Sequence, residues 1–107
     1  MKSEPCFAMT TVNKQEEARS LAEILVKERL AACVQIVPKM ESIYEWEGKI
    51  HIDQEHLILI KTMEGKISDI KKAIAKHHSY EVPEFLVVPV IDGMDEYLEW
   101  MKEGTKS

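Results

Sequence analysis

The sequence predicts an α+β domain on a split βαβ frame, with a four-stranded antiparallel sheet, two helices on one face and an added C-terminal helix. Three observations lead there. The apolar residues switch between alternating and helical spacing in the order β-α-β-β-α-β-α. A single glycine, Gly48, stands between two long alternating arms, as a hairpin requires. A chain of 107 residues without linker, repeat or low-complexity stretch has room for one modest core, so residues 1–107 are expected to form a single domain.

The elements follow in order. Cys6 to Val12 is a short apolar run rich in Thr and Val, which reads as a first strand. Asn13 with Glu16 three residues on reads as a capping box opening a helix. Ala18, Leu21, Ala22 and Leu25 form that helix's buried stripe, and it fades near Arg29. AACVQIV, from Ala31, is a half-apolar strand interrupted by Pro38. ESIYEWEGKIHI then alternates through a Glu-Gly-Lys turn, and the return strand continues through His51 and Ile52 to His56–Thr62. Arms of more than ten residues are long for so small a domain, and exposed edges invite pairing. Such a hairpin must curl over the core or be covered by another chain.

A second helix is expected over Met63 to His78, with Ile67, Ile70 and Ile74 on its apolar face. EFLVVPVIDG is a continuous apolar run, which predicts a strand buried on both faces, with Pro89 at an edge or at its end. Asp92 or Asp95 is the expected cap of a last helix carrying Met94, Tyr97, Leu98 and Met101 on one side, and Gly104 ends it.

Composition narrows the function. At 45% hydrophobic and 31% charged the chain reads as a globular, soluble protein. A net charge of -5 offers no basic stripe for nucleic acid. No apolar run approaches the ~20 residues of a membrane span, and the first residues lack the apolar core of a signal peptide. Two cysteines, Cys6 and Cys33, make no disulfide framework and no CxxC, so reduced thiols in the cytoplasm are expected.

Chemistry concentrates in KHHSYEVPE, from Lys76 to Glu84. Neighbouring side chains on a helix point about 100° apart, so His77 and His78 cannot easily grip one metal while the helix persists. Where it unwinds, two neutral imidazoles could bind copper or zinc. The plainer reading makes both histidines helix C-terminal residues that suit the dipole. Tyr80, Glu81 and Glu84 flank a Val-Pro that forces extended backbone, and such glutamates are more often surface groups than acid–base catalysts. The chain has no GxSxG, no Gly-rich phosphate loop and no HExxH, and no nucleophile beside a recognisable base. A non-enzymatic role follows. Tyr44 and Trp46 read as core or subunit-contact aromatics, and Cys33 as a small buried residue.

RLAACVQIVP, SIYEWEGKI, ILIKT, HHSYEVPEFLVVPV and YLEW, in that order, resemble the signature blocks of the CutA family, named for tolerance to divalent cations. The resemblance implies a ferredoxin-like fold assembled as a homotrimer, the long hairpins pairing with neighbouring subunits. It implies a role in divalent-cation tolerance with metal-ion binding, by Cu(II) or another divalent cation, none obligatory. His77 and His78 match the family's adjacent histidines and are the metal candidates. The family's cysteine at the end of the first strand falls at Thr10, so a metal here rests on nitrogen and oxygen donors. Ser79 replaces the proline usual before the tyrosine. A cleft between subunits is expected to be lined by Cys33, Trp46, Lys61, Tyr80 and Glu84. The alternative is a trimeric signalling module whose clefts bind a small anionic effector at Lys61. The expected partners are further copies of the chain and a small ligand or ion, with neither nucleic acid nor membrane.

Overall fold

Residues 4–107 are described by a computed structural model, so the first three residues of the expected domain lie outside the described residues. Strand β1 (Pro5–Val12) leads to helix α1 (Gln15–Lys27), then to the long strands β2 (Cys33–Trp46) and β3 (Lys49–Met63). A 3₁₀ turn at Glu64–Lys66 opens helix α2 (Ile67–His77), followed by β4 (Leu86–Pro89) and α3 (Asp95–Gly104). The sheet order is β2-β3-β1-β4, antiparallel at every pair. This is the ferredoxin-like, split βαβ arrangement that the order of elements predicts.

Alternation along the central strands decides where the core lies. Cys6, Ala8, Thr10 and Val12 of β1 and Ile58, Ile60 and Thr62 of β3 are buried on one face. Against that face pack Ala18, Leu21 and Leu25 of α1 with Ile70 and Ile74 of α2. Burying each Leu or Ile there contributes about 1.5–3 kcal/mol. The intervening residues Phe7, Met9, Leu57 and Leu59 form the other face and are only half-buried.

α1 closes with a Schellman turn: the Leu30 N–H reaches the Leu25 carbonyl and the Arg29 N–H the Val26 carbonyl, with Arg29 left-handed at φ 61. At the other end the expected capping box does not form. The helix begins after Lys14, and no side chain caps it. Asn13 turns instead toward a surface cleft, and Glu16 and Glu17 favour the dipole from the first turn.

The hairpin turns at Glu47 and Gly48, both at positive φ, between the paired Trp46 and Lys49. That is the two-residue turn whose twist matches its strands, and Gly48 supplies one of the two positive angles without strain. Pro38 does not end β2. It sits in a bulge between Val37 and Met40, where Lys39 takes φ 56 and donates its N–H to His56 Nδ1 at 3.3 Å. β1 stops pairing at Val12, opposite His56, so β3 from Lys49 to Glu55 pairs with β2 alone. The hairpin therefore projects, and the chain measures 45 × 26 × 23 Å.

Three expectations need correction. The apolar run that begins at Glu84 yields only the four-residue β4, and Leu86 and Val87 are exposed. β4 is an edge strand at one side of the sheet, so its apolar residues are not enclosed by this chain, although it does end at Pro89 as expected. Neither Asp92 nor Asp95 caps α3: the N-cap is Met94, and Asp92 Oδ1 accepts the N–H of Gly93 at 2.8 Å. On α3 itself only Met101 is buried, whereas Met94 and Tyr97 face solvent. Gly104 is the last helical residue, and it brings the backbone against Ala32.

Candidate functional site

The end of α2 separates the two histidines. His77 is the last helical residue and is exposed. His78 leaves the helix at φ -78, ψ 142, after its N–H has bonded the Ile74 carbonyl. That single change of backbone angle turns the second ring inward, and its side chain is 1% exposed. Its Nε2 lies 2.8 Å from the Thr11 carbonyl, which can only accept, so Nε2 carries the proton. Its Nδ1 accepts the Tyr80 N–H at 3.0 Å. Both ring nitrogens are engaged in holding the segment after α2 onto the end of β1.

Glu17, one helix away, completes that attachment. Its Oε2 accepts the Ser79 N–H at 2.8 Å and its Oε1 accepts the Ser79 hydroxyl at 2.9 Å. The same carboxylate stands 4.0 Å from His78 Nδ1, a contact that is not an ion pair while Nδ1 accepts from Tyr80. The serine standing where the family pattern has proline thus supplies a backbone donor that proline lacks.

Tyr80 then crosses to the hairpin. Its ring packs on His78 with centroids 4.8 Å apart, and its hydroxyl donates to Glu55 Oε2 at 2.7 Å. Burial first, and then the bond to Glu55 and its charge, push this phenol well above the ordinary tyrosine range. Tyr44 makes a matching bond to the carboxylate of Asp53, which raises its ionisation ahead of any effect of burial. The Tyr44 ring also stacks on its cross-strand partner His51. Both phenols are held as protonated donors to carboxylates.

These groups line a cleft of about 510 Å³ between the projecting hairpin and the YEVPE segment. Thr11, Asn13, Tyr44, Trp46, Asp53, Glu55, Tyr80, Val82 and Glu84 form its walls, with no basic side chain among them. Of the five expected cleft residues, Trp46, Tyr80 and Glu84 come together here. Cys33 and Lys61 do not, within one chain. They pair with each other across β2 and β3, and six strand residues, about 20 Å, separate Lys61 from Glu55. Cys33 is half-buried rather than enclosed. Lys61 Nζ lies 5.4 Å from the centroid of the Tyr97 ring and 3.4 Å from its hydroxyl.

Asp53, Glu55 and Glu17 were not singled out by sequence reasoning. The spacing of Asp53 and Glu55 on one strand places both on one face, beside Tyr44 on the facing arm, and that period-two signal was available. Nothing local marks Glu17, whose partner Ser79 lies 62 residues away.

A cation has no ready cage here. Among the described residues no three His, Cys, Asp or Glu side chains come together as a metal site. Thr10, at the family's cysteine position, is fully buried, and its hydroxyl has no partner among the described residues. The residues present therefore do not fit a resident metal centre, and the one freely accessible imidazole at the end of α2 is that of His77.

Residues 6–104 match the sequence profile of the CutA1 divalent ion tolerance protein. The chain belongs to the CutA1 family. It is 45% identical over 97 residues to the divalent-cation tolerance protein CutA of Thermus thermophilus, covering 91% of this chain and 94% of that one. It is 44% identical to a chloroplastic CutA protein of Arabidopsis thaliana, of whose length it spans 53%. The solved Thermus CutA1 structure superposes with a TM-score of 0.91 over 95% of this chain and 99% of that one, at 43% identity. CutA1 from Oryza sativa superposes at 0.94 over 98% and 96%, at 39% identity. The CutA1 fold, hairpin included, is thus shared by chains that differ at more than half of the aligned positions.

Proposed function

We propose that this chain acts in divalent-cation tolerance as a non-catalytic cytosolic homotrimer that takes up an exchangeable divalent cation, such as Cu(II), at the end of α2. The match to the divalent ion tolerance family over residues 6–104 carries the reading. At the site it is supported by the exposed His77 imidazole, with the enclosed His78 next in sequence. His78 joins as a ligand only by releasing Thr11 or the Tyr80 N–H, so uptake there loosens the segment that carries Tyr80 and Glu84 into the cleft. Cys6 and Cys33 are free thiols, as suits a reducing compartment.

Self-association is supported by the sheet face that the helices leave open. Phe7, Met9, Leu57, Leu59, Leu86 and Val88 share it by strand register, and Leu86 is 56% exposed. An apolar sheet face of that kind is buried in a stable protein, and a further copy is the proposed cover. Sedimentation of Leu59→Glu tests this: it should lower the mass to that of one chain, and an unchanged mass refutes the contact.

Calorimetric titration with Cu(II) tests the cation. His77→Ala should weaken binding by roughly tenfold or more, the scale on which metal sites register a lost supporting group. Parent-like affinity in both His77→Ala and His78→Ala refutes the site. A second reading, a small anionic effector at Lys61, is favoured by its ammonium, which lies against the Tyr97 ring and makes no carboxylate bridge among the described residues. Lys61→Glu should abolish anion binding and leave Cu(II) uptake intact.

A further inference from the structure

We infer that the cleft between the hairpin and the YEVPE segment binds an organic ammonium ion. Its walls combine three aromatic rings, Tyr44, Trp46 and Tyr80, with three carboxylates, Asp53, Glu55 and Glu84. The volume of about 510 Å³ is that of a small-molecule site. Negative charge without any basic lining selects a cation. The rings decide which kind. A bare metal ion needs converging donors, and the described residues bring no three together. An alkylated ammonium gains from the ring faces and from desolvation of its carbon body, which a hydrated metal ion does not.

The hydrogen bonds leave the acceptors free for it. Asp53 and Glu55 each give one oxygen to a phenol, and Glu84 accepts no bond from the described residues. Trp46, which lines the cleft, is 61% exposed, so its side chain is largely open to solvent among the described residues. Raised phenol ionisation keeps Tyr44 and Tyr80 as neutral donors, so the negative charge of the cleft rests on the carboxylates. This inference is independent of the cation proposed at His77.

The ammonium could belong to a free alkylamine or to a lysine side chain of a second copy, and one experiment separates them. n-Butylammonium chloride is titrated into the full chain in a Trp100→Phe background, with Trp46 fluorescence as the readout and magnesium chloride as an ionic-strength control. The same titration is made on dissociated Leu59→Glu protein, and sedimentation is run with and without the amine. A saturable response is expected in at least one of the two forms, weakened about three- to tenfold by Tyr44→Leu and about tenfold by Glu84→Gln, and unaltered by His77→Ala. Binding at constant mass assigns a free amine. Binding that dissociates the assembly, or that appears only in Leu59→Glu, assigns a lysine of the second copy. No saturable response in either form, or equal displacement by magnesium, overturns the inference. Loss of Cu(II) binding in the separate histidine test leaves it standing.

Discussion

Two buried threonines on one face of the sheet make opposite predictions for the same substitution. Thr10 and Thr62 are both fully buried, on adjacent strands, facing the helices. The Thr62 hydroxyl donates to the Leu30 carbonyl at 2.6 Å, tying β3 to the turn after α1. The Thr10 hydroxyl has no partner among the described residues. Valine keeps the shape and exchanges the hydroxyl for a methyl. At Thr62 it removes a bond and leaves a buried carbonyl short of a donor, a loss of about 1–3 kcal/mol. At Thr10 it removes an unsatisfied group whose desolvation costs a similar amount, so Thr10→Val should stabilise by about 1–2 kcal/mol. With a urea m-value of about 1–3 kcal/mol/M, the midpoints should move in opposite directions by roughly 0.5–1 M. Protein concentration is held constant, because self-association adds to apparent stability. Thr10→Ser keeps the hydroxyl and deletes a methyl, so it should destabilise by about 1 kcal/mol. Equal signs for the two valine variants would refute the reasoning, since Thr10 would then be satisfied by a buried water.

Two further outcomes follow from named contacts. Tyr80 ionises above its ordinary value in the folded chain, so the stability it contributes is fully present below the unfolded value near pH 10 and is lost as pH rises toward the folded one. Urea midpoints measured from pH 8 upward should therefore fall less steeply in Tyr80→Phe than in the parent, and identical slopes would refute the raised ionisation that burial and the Glu55 bond together give Tyr80. At Gly104 an added Cβ would stand 3.0 Å from the Ala32 Cβ and 3.2 Å from its backbone Cα. Gly104→Ala should lower stability by about 1–2 kcal/mol despite alanine's better helix propensity, measured as a lower thermal midpoint, and a rise would show that α3 can shift.

What was legible in the sequence is what period and turn chemistry control. The order of elements, the stripe Leu21 and Leu25, and the turn at Gly48 could be read because each depends on neighbours a few residues away. The capping box of Asn13 and Glu16 failed because the helix starts one residue later, after Lys14, and Asn13 lines the cleft instead, which spacing cannot show. EFLVVPVIDG was misjudged for a related reason. Apolar composition says that a segment must be buried, but not by which chain, and β4 at the sheet edge leaves its residues for something outside this chain to cover. Lys61 and Cys33 were grouped with Trp46 and Tyr80 through a resemblance to an assembly, and one chain keeps the two groups at opposite ends of β3.

The pair His77-His78 shows why adjacency in sequence is a poor guide to shared chemistry. One residue ends α2 and the next takes extended angles, so one ring meets solvent while the other is enclosed between Thr11 and Tyr80. His78 is held by the loop it positions. Any ligand that recruits it must displace one of its two hydrogen bonds, each about 1 kcal/mol, with Ser79 still tied to Glu17 beside it. Because Tyr80 is the next side chain but one, and its hydroxyl ends on Glu55, displacement of His78 is felt directly at the cleft. His78 at the end of α2 and the carboxylate of Glu55 on the hairpin are therefore joined by one short chain of contacts through Tyr80.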